Sequence, residues 1–195
     1  MYLGEVTRNI LLHLIDAFPP ILFQGFSTPQ LNSHYGFDAS FMSDVENAKT
    51  SEEIRQILVG HLGFKPEIIS DEDTDVVRWA CQIVATRAAA LSATAVAAVL
   101  VQTGHAQIGG GFSSGTETLK VGVDGRWRAC VLLEIAPTDL HPFSLIQFYP
   151  GFEQRIRQSL QAVVGLEVEM RVEIGLAKDG SGVGGLSLLY KRWLC

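Results

Sequence analysis

"GLAKDGSGVGG", residues 175–185, is the stretch on which the reading of this chain turns. It follows "EVEMRVEIGLA", a β-like run, and precedes the apolar "LSLLY". Glycines where a strand hands over to a helix let a ligand approach backbone N–H groups, and a helix N-terminus at that place favours phosphate or another anion. The plainer reading is a strand-to-helix turn in which Asp179 or Ser181 caps the helix. Taken alone, the pattern favours the plain turn. It lacks the GK[ST] ending of a phosphate loop and the acidic residue about twenty positions on that completes a dinucleotide fingerprint.

A second turn of the same kind lies upstream. "LKVGVDG", residues 119–125, reads as a short strand ending at Asp124 and Gly125, and Asp-Gly after a strand is an ordinary turn signal. Two such turns at the ends of neighbouring strands mean more than either alone, because ligands of open α/β sheets lie outside the C-terminal ends of the strands. From residue 75 onward the order is helix, strand, helix, strand, helix, which predicts a layered α/β domain.

The helices around these strands are legible from their spacing. Leu3, Val6, Ile10 and Leu14 recur every three or four residues and predict an opening helix, ended by Pro19 and Pro20. Residues 21–47 mix Gly, Pro, Ser and Asn without a sustained period and predict a packed loop with short elements. "KTSEEIRQILVGHLG", residues 49–63, has a cap-like Thr50 or Ser51, acidic residues in its first turn, and Gly60 and Gly63 near its end. The next helix starts in "SDEDTDVV", where carboxylates suit the positive end of the helix dipole, and runs to about Gln102. Its centre, "AAALSATAVAAV", is so small-faced that the helix is expected to press against other elements on most sides. Residues 103–118 form a glycine-rich connector, and 126–148 have no clean period. "YPGFEQRIRQSLQAVVG" then predicts a helix whose Phe152, Ile156, Leu160 and Val163 share one face, and "VEMRVEIGLA" predicts the last strand.

Composition excludes several function classes. A hydrophobic content of 47% and a charged content of 18% describe a globular chain. The formal net charge of −6 leaves no basic footprint for nucleic acid or an anionic membrane. Cys81, Cys130 and Cys195 stand far apart with no CxxC pair, which argues against a disulfide framework and a zinc site and for a reducing, cytoplasmic setting. Glu5 and the lack of a small-residue cleavage site argue against a signal peptide. The apolar run 83–101 contains Arg87 and is mostly alanine, so it reads as a buried helix of a soluble protein and not as a membrane span. His13, His34, His61, His105 and His141 share no spacing with Cys or carboxylate, and the acidic 71–75 cluster reads as a helix start. Ser92 and Thr94 lack a base nearby and read as core or back-bonded residues. No catalytic residue and no metal ligand is assigned.

Several segments, taken in order, resemble one family. "MYLGEVTRNILLHL", "DVVRWACQIVATRAAALSATAVAAVLVQTGH", "VGVDG", "YPGFEQRIRQSLQAVVG" and "VEIGLAKDGSGVG" are similar to the C-terminal part of a fungal hexokinase, within the actin-like ATPase superfamily. The resemblance implies that residues 1–195 are an incomplete C-terminal domain, a partial large lobe of the actin-like ATPase (ribonuclease H-like) fold. It implies a phosphotransferase of glycolysis that moves the terminal phosphate of ATP, with magnesium, to the 6-hydroxyl of glucose, fructose or mannose. In the family "GVDG" belongs to the adenosine motif and "DGSGVG" opens the helix that connects the two lobes. Carried over, Gly122, Asp124 and Gly125 border the nucleotide, and Asp179, Gly180, Ser181 and Gly182 form the neighbouring turn. Residues 39–43 correspond to a further contact near adenine.

The departures carry expectations too. The family's sugar-binding segment, catalytic aspartate and phosphate-gripping motifs lie upstream of "MYLGE", so this chain alone is expected to have no hexokinase activity. Residues 126–148 intervene where the family runs from "GVDG" into "YPGF", and 185–195 replace a small-residue helix. Both changes begin abruptly at good motifs, which suggests retained intron sequence or a mistaken gene model, and the insert threatens the closing of the adenosine turn. The rival reading is a non-catalytic, hexokinase-like remnant for nucleotide binding or sugar sensing, and a third is a product without function.

Overall fold

A computed structural model of the chain describes residues 2–110, 118–123 and 149–176. Helices α1 (Tyr2–Ile15), α2 (Pro29–Asn32), α3 (Ala39–Asn47), α4 (Ser51–Leu62) and α5 (Asp71–Gln102) are followed by strand β1 (Leu119–Val123), helices α6 (Phe152–Val164) and α7 (Leu166–Arg171), and strand β2 (Val172–Leu176). The chain divides into two units. The first takes α1 to α4, α5 as far as Ala88, and residues 149–152; the second takes α5 from Ala89, β1, α6 from Glu153, α7 and β2.

In the helical unit, α1 meets the start of α3 at backbone distance. A Cβ on Gly4 would fall 2.2 Å from the Phe37 carbonyl oxygen, so only glycine allows the approach. One turn on, Arg8 donates from Nε and Nη2 to the two Glu5 oxygens at 2.8 and 2.6 Å and from Nη1 to the Leu31 carbonyl at 2.9 Å. The Tyr35 N–H donates to the same Glu5 carboxylate at 2.9 Å. The hydrogen bonds from Arg8 hold the Glu5 carboxyl down at about 2.

The expected loop over 21–47 contains more helix than its composition suggests. Thr28 caps α2 by accepting from the Leu31 N–H, and Asp38 caps α3 by accepting from the Ser40 N–H. Leu31, Phe37, Met42 and Val45 from this stretch are fully or almost fully buried. Of the two cap candidates for α4, Thr50 is the one used, with Glu53 reaching back to the Lys49 N–H, and Gly63 ends the helix at φ 71°. Ser70 and Asp73 bond reciprocally at the start of α5, and the Asp73 carboxylate also accepts the Phe23 N–H at 2.8 Å from fifty residues away. The acidic cluster is a helix start, as its sequence predicts.

Helix α5 departs from expectation. Val77, Cys81, Ala85, Ala89, Ala93 and Ala97 form a buried stripe at every fourth residue, while Trp79, Ile83, Leu91 and Val99 are about half exposed. The helix therefore packs along one stripe and not on most sides. Alanine's helix propensity explains the composition without burial all round. By length and composition α5 could cross a membrane, and no other helix among the described residues could.

In the sheet unit, β1 and β2 pair in parallel from Leu119 opposite Val172 to Val123 opposite Leu176. Helix α6 buries Phe152, Ile156, Leu160 and Val164. The fourth of these replaces the expected Val163, whose carbonyl instead accepts the Gly109 N–H at 2.9 Å. The predicted strand over 168–177 is corrected: its first part is α7, and β2 begins at Val172. Alternating "VEMRVE" mimics a strand, but Leu, Glu, Met and Arg are good helix formers, and Val168 and Val172 are both buried four residues apart.

Candidate functional site: the paired strand ends

Strands β1 and β2 run in the same direction and stop at the same level. Gly122 stands opposite Gly175, and Val123 and Leu176 are the last residues of the ladder. Two glycines at one rung leave that rung without side chains, so a flat group can lie against backbone there. In sequence, β1 is followed by Asp124 and Gly125, and β2, after Ala177 and Lys178, by "DGSGVG". Gly122 lies within β1; Asp124, Gly125, Asp179, Gly180, Ser181 and Gly182 lie outside the described residues, as do all of 126–148 and 185–195. Strands that sequence places 53 residues apart (172 − 119 = 53) are thus brought side by side, with their C-terminal ends together.

Behind the ladder stands a group without a sequence signature. Arg157 of α6 donates from Nη1 to the Val172 carbonyl at 3.1 Å and to Glu169 at 2.9 Å, and from Nε to Glu153 at 3.0 Å. The bond to Glu169 leads in raising the guanidinium pKa, so the group is cationic throughout the range in which proteins work. Only the bond to Glu153, four residues away on the same helix, could have been anticipated from spacing.

Other groups make capping and packing contacts. The Asp38 cap orders residues 39–43, with Ala39 and Met42 buried and Ser40 and Ser43 half-buried. Phe41 packs against Phe37 and, at 4.4 Å between ring centres, against His61. Burial first, and then the Glu46 carboxylate, push the Cys81 thiol up, which leaves it without nucleophilic thiolate character. Thr94 donates back to the Ala90 carbonyl at 2.8 Å. Among the described residues no three His, Cys, Asp or Glu side chains stand together to hold a metal ion.

The family model for hexokinase matches residues 1–129 and 144–188 of the chain. A glucokinase from Aspergillus niger is 34% identical, over 94% of this chain and 34% of its own length. Hexokinase-2 from Schizosaccharomyces pombe is 31% identical, over 94% of this chain and 33% of its own length. Among solved structures, the hexokinase from Schistosoma mansoni complexed with glucose superposes with a TM-score of 0.67 at 25% identity, covering 98% of this chain and 36% of that one. The chain spans about a third of the length of these relatives.

Proposed function

Since the chain belongs to the hexokinase family and carries a partial lobe of its actin-like ATPase fold, we propose that it forms the adenosine-side wall of an ATP-dependent hexose kinase. The observation that supports this reading is the parallel, in-register pairing of β1 and β2, the two strands that lead in sequence into "GVDG" and "DGSGVG". On this reading Gly122, Asp124 and Gly125 border the nucleotide, and Asp179, Gly180, Ser181 and Gly182 form the turn beside it. The bare Gly122–Gly175 rung fits a flat base or ribose approaching the sheet backbone. ATP would supply the phosphoryl group for the 6-hydroxyl of glucose, fructose or mannose. Magnesium would arrive with the phosphates, and no ligand for it is assigned among the described residues. The names of the relatives support a hexose acceptor, and a cytoplasmic, glycolytic setting belongs to the same proposal.

The polypeptide of these 195 residues, by itself, is proposed to turn over no hexose. Phosphoryl transfer needs nucleotide, acceptor and charge stabilisation placed together, and one adenosine-side wall provides only the first. A coupled assay of glucose phosphorylation on the purified chain is expected to stay at background; clear ATP-dependent turnover overturns this. Calorimetric titration is expected to show ATP binding, and its absence in a chain that melts cooperatively removes the wall itself.

The 126–148 insert and the 185–195 tail belong to the same proposal as sequence foreign to the family. The family match skips 130–143, which supports this for the middle of the insert, whereas it includes 126–129, 144–148 and 185–188. Mature transcripts that keep the codons between "GVDG" and "YPGF" would count against a retained intron.

A further inference from the structure

We propose that the face of α5 carrying Asp75, Trp79, Ile83 and Arg87 is a docking surface for a second copy of this chain, which lies antiparallel against the same four residues. The inference is independent of the nucleotide reading above. All four residues belong to the first of the two units. They recur every fourth residue and so form one ridge along the helix. Trp79 and Ile83 are 51% and 45% exposed, and Asp75 and Arg87 are exposed as well. The described core takes the opposite stripe, Val77, Cys81 and Ala85, so its packing does not need a tryptophan and an isoleucine on this side.

The charges name the occupant. Along the ridge the order is acid, apolar, apolar, base, and the outer and inner pairs share a midpoint at residue 81. A copy turned end for end about a two-fold axis there sets Asp75 against the partner's Arg87 and Trp79 against the partner's Ile83, and the reverse pairs follow by symmetry. A parallel copy would instead oppose acid to acid and base to base. Among the described residues neither Asp75 nor Arg87 has a hydrogen bond or an ion pair. Arg8, Arg55 and Arg157, by contrast, are each held by carboxylates close by. Helix α5 is long and apolar enough to cross a membrane, but two unpaired opposite charges in line with the apolar pair do not suit hydrocarbon.

The spacing also suits the way helices meet. Ridges of residues four apart interlock at a crossing angle of about −50°. From Asp75 to Arg87 the ridge covers roughly 18 Å of helix, which puts one ion pair at each end of the contact and the four apolar side chains between them. Trp79 is the anchor, since tryptophan brings a large apolar area at little cost in rotamer freedom. The exposed ion pairs contribute little energy and fix orientation instead. One ridge buries far less than the roughly 1,200 to 2,000 Å² of a stable interface, so the dimer is weak, with a Kd on the order of 100 μM.

Sedimentation equilibrium of the full 195-residue chain, from about 10 μM to about 1 mM, tests this. The wild type is expected to pass from monomer to dimer and no further. Asp75→Lys and Arg87→Glu each set like charges against one another and are expected to weaken the dimer about tenfold, while the two changes together restore it to within about threefold of wild type. Trp79→Gln is expected to abolish it. Phe18→Ser, at a fully exposed apolar side chain elsewhere in the unit, is expected to leave it unchanged. A chain that stays monomeric overturns the proposal, as do assembly beyond a dimer, association indifferent to the charge changes, and a double variant as weak as the singles. Binding of the wild type to phosphatidylcholine vesicles in place of self-association gives the face to lipid and overturns it too. Circular dichroism checks the fold of each variant. Should Asp75→Lys fail to fold, Arg87→Glu and Arg87→Lys carry the comparison: loss in the first alone keeps the proposal, and equal association in both sinks it.

Discussion

The helical unit closes two of its joints with buried side chains bonded to backbone, whereas the sheet unit closes the α7–β2 joint with a guanidinium whose side chain is 35% exposed. Asp73 and Arg8, which do the corresponding work in the helical unit, are each only 6% exposed. A buried polar group left without its partner bears the full cost of desolvation, whereas an exposed one is compensated by water. Breaking the first kind of joint is therefore expected to cost more stability than breaking the second.

The largest effect is expected at Asp73. Its carboxylate accepts from Ser70 N–H and Oγ and from the Phe23 N–H, so Asp73→Ala strips a helix cap and orphans a buried donor at once. Chemical denaturation should show a loss of about 3 kcal/mol. A loss under about 1 kcal/mol would break the contrast between the units.

The pH dependence sharpens the same contrast. The carboxyl of Glu5 is held at about 2 in the fold against 4.5 ordinarily, so on acidification the unfolded chain takes up the proton first. The stability from this clasp is complete above pH 4.5 and drains away as the pH falls towards 2. In Glu5→Gln that part of the slope should disappear from urea midpoints measured across the window, and an unchanged slope would mean that the clasp is not what titrates.

The smallest effect is expected at Lys120. Its pair with Glu173 is long and wet, so Lys120→Gln should shift the denaturation midpoint by less than about 0.5 kcal/mol. A larger shift would mean that exposed charge holds the ladder after all.

What sequence disclosed and what it hid follow from the range of each interaction. The period of Leu3, Val6, Ile10 and Leu14 marked α1 as a helix because that signal is local, although the face it buries carries Gly4, Thr7, Arg8, Leu11 and Ile15. Helix α7 was hidden by an alternation that a strand would share, and α3 by a neighbourhood of turn residues. The Asp73–Phe23 bond spans fifty residues, and Arg157 meets Glu169 and Val172 at separations of twelve and fifteen, beyond any periodic signal. Of the candidate site, sequence identified the strands that carry the two motifs, but not the Arg157 contacts beside them.

The continuity of α5 has a kinetic consequence. Arg87 is exposed and stands one residue before the point where the helix passes, at Ala88 and Ala89, from one unit to the other. A protease that cuts after arginine needs several residues of extended chain, which an intact helix withholds. Scission at Arg87 therefore reports the local opening of α5: it follows the population of the opened helix at low protease and the opening rate when cleavage outpaces reclosing.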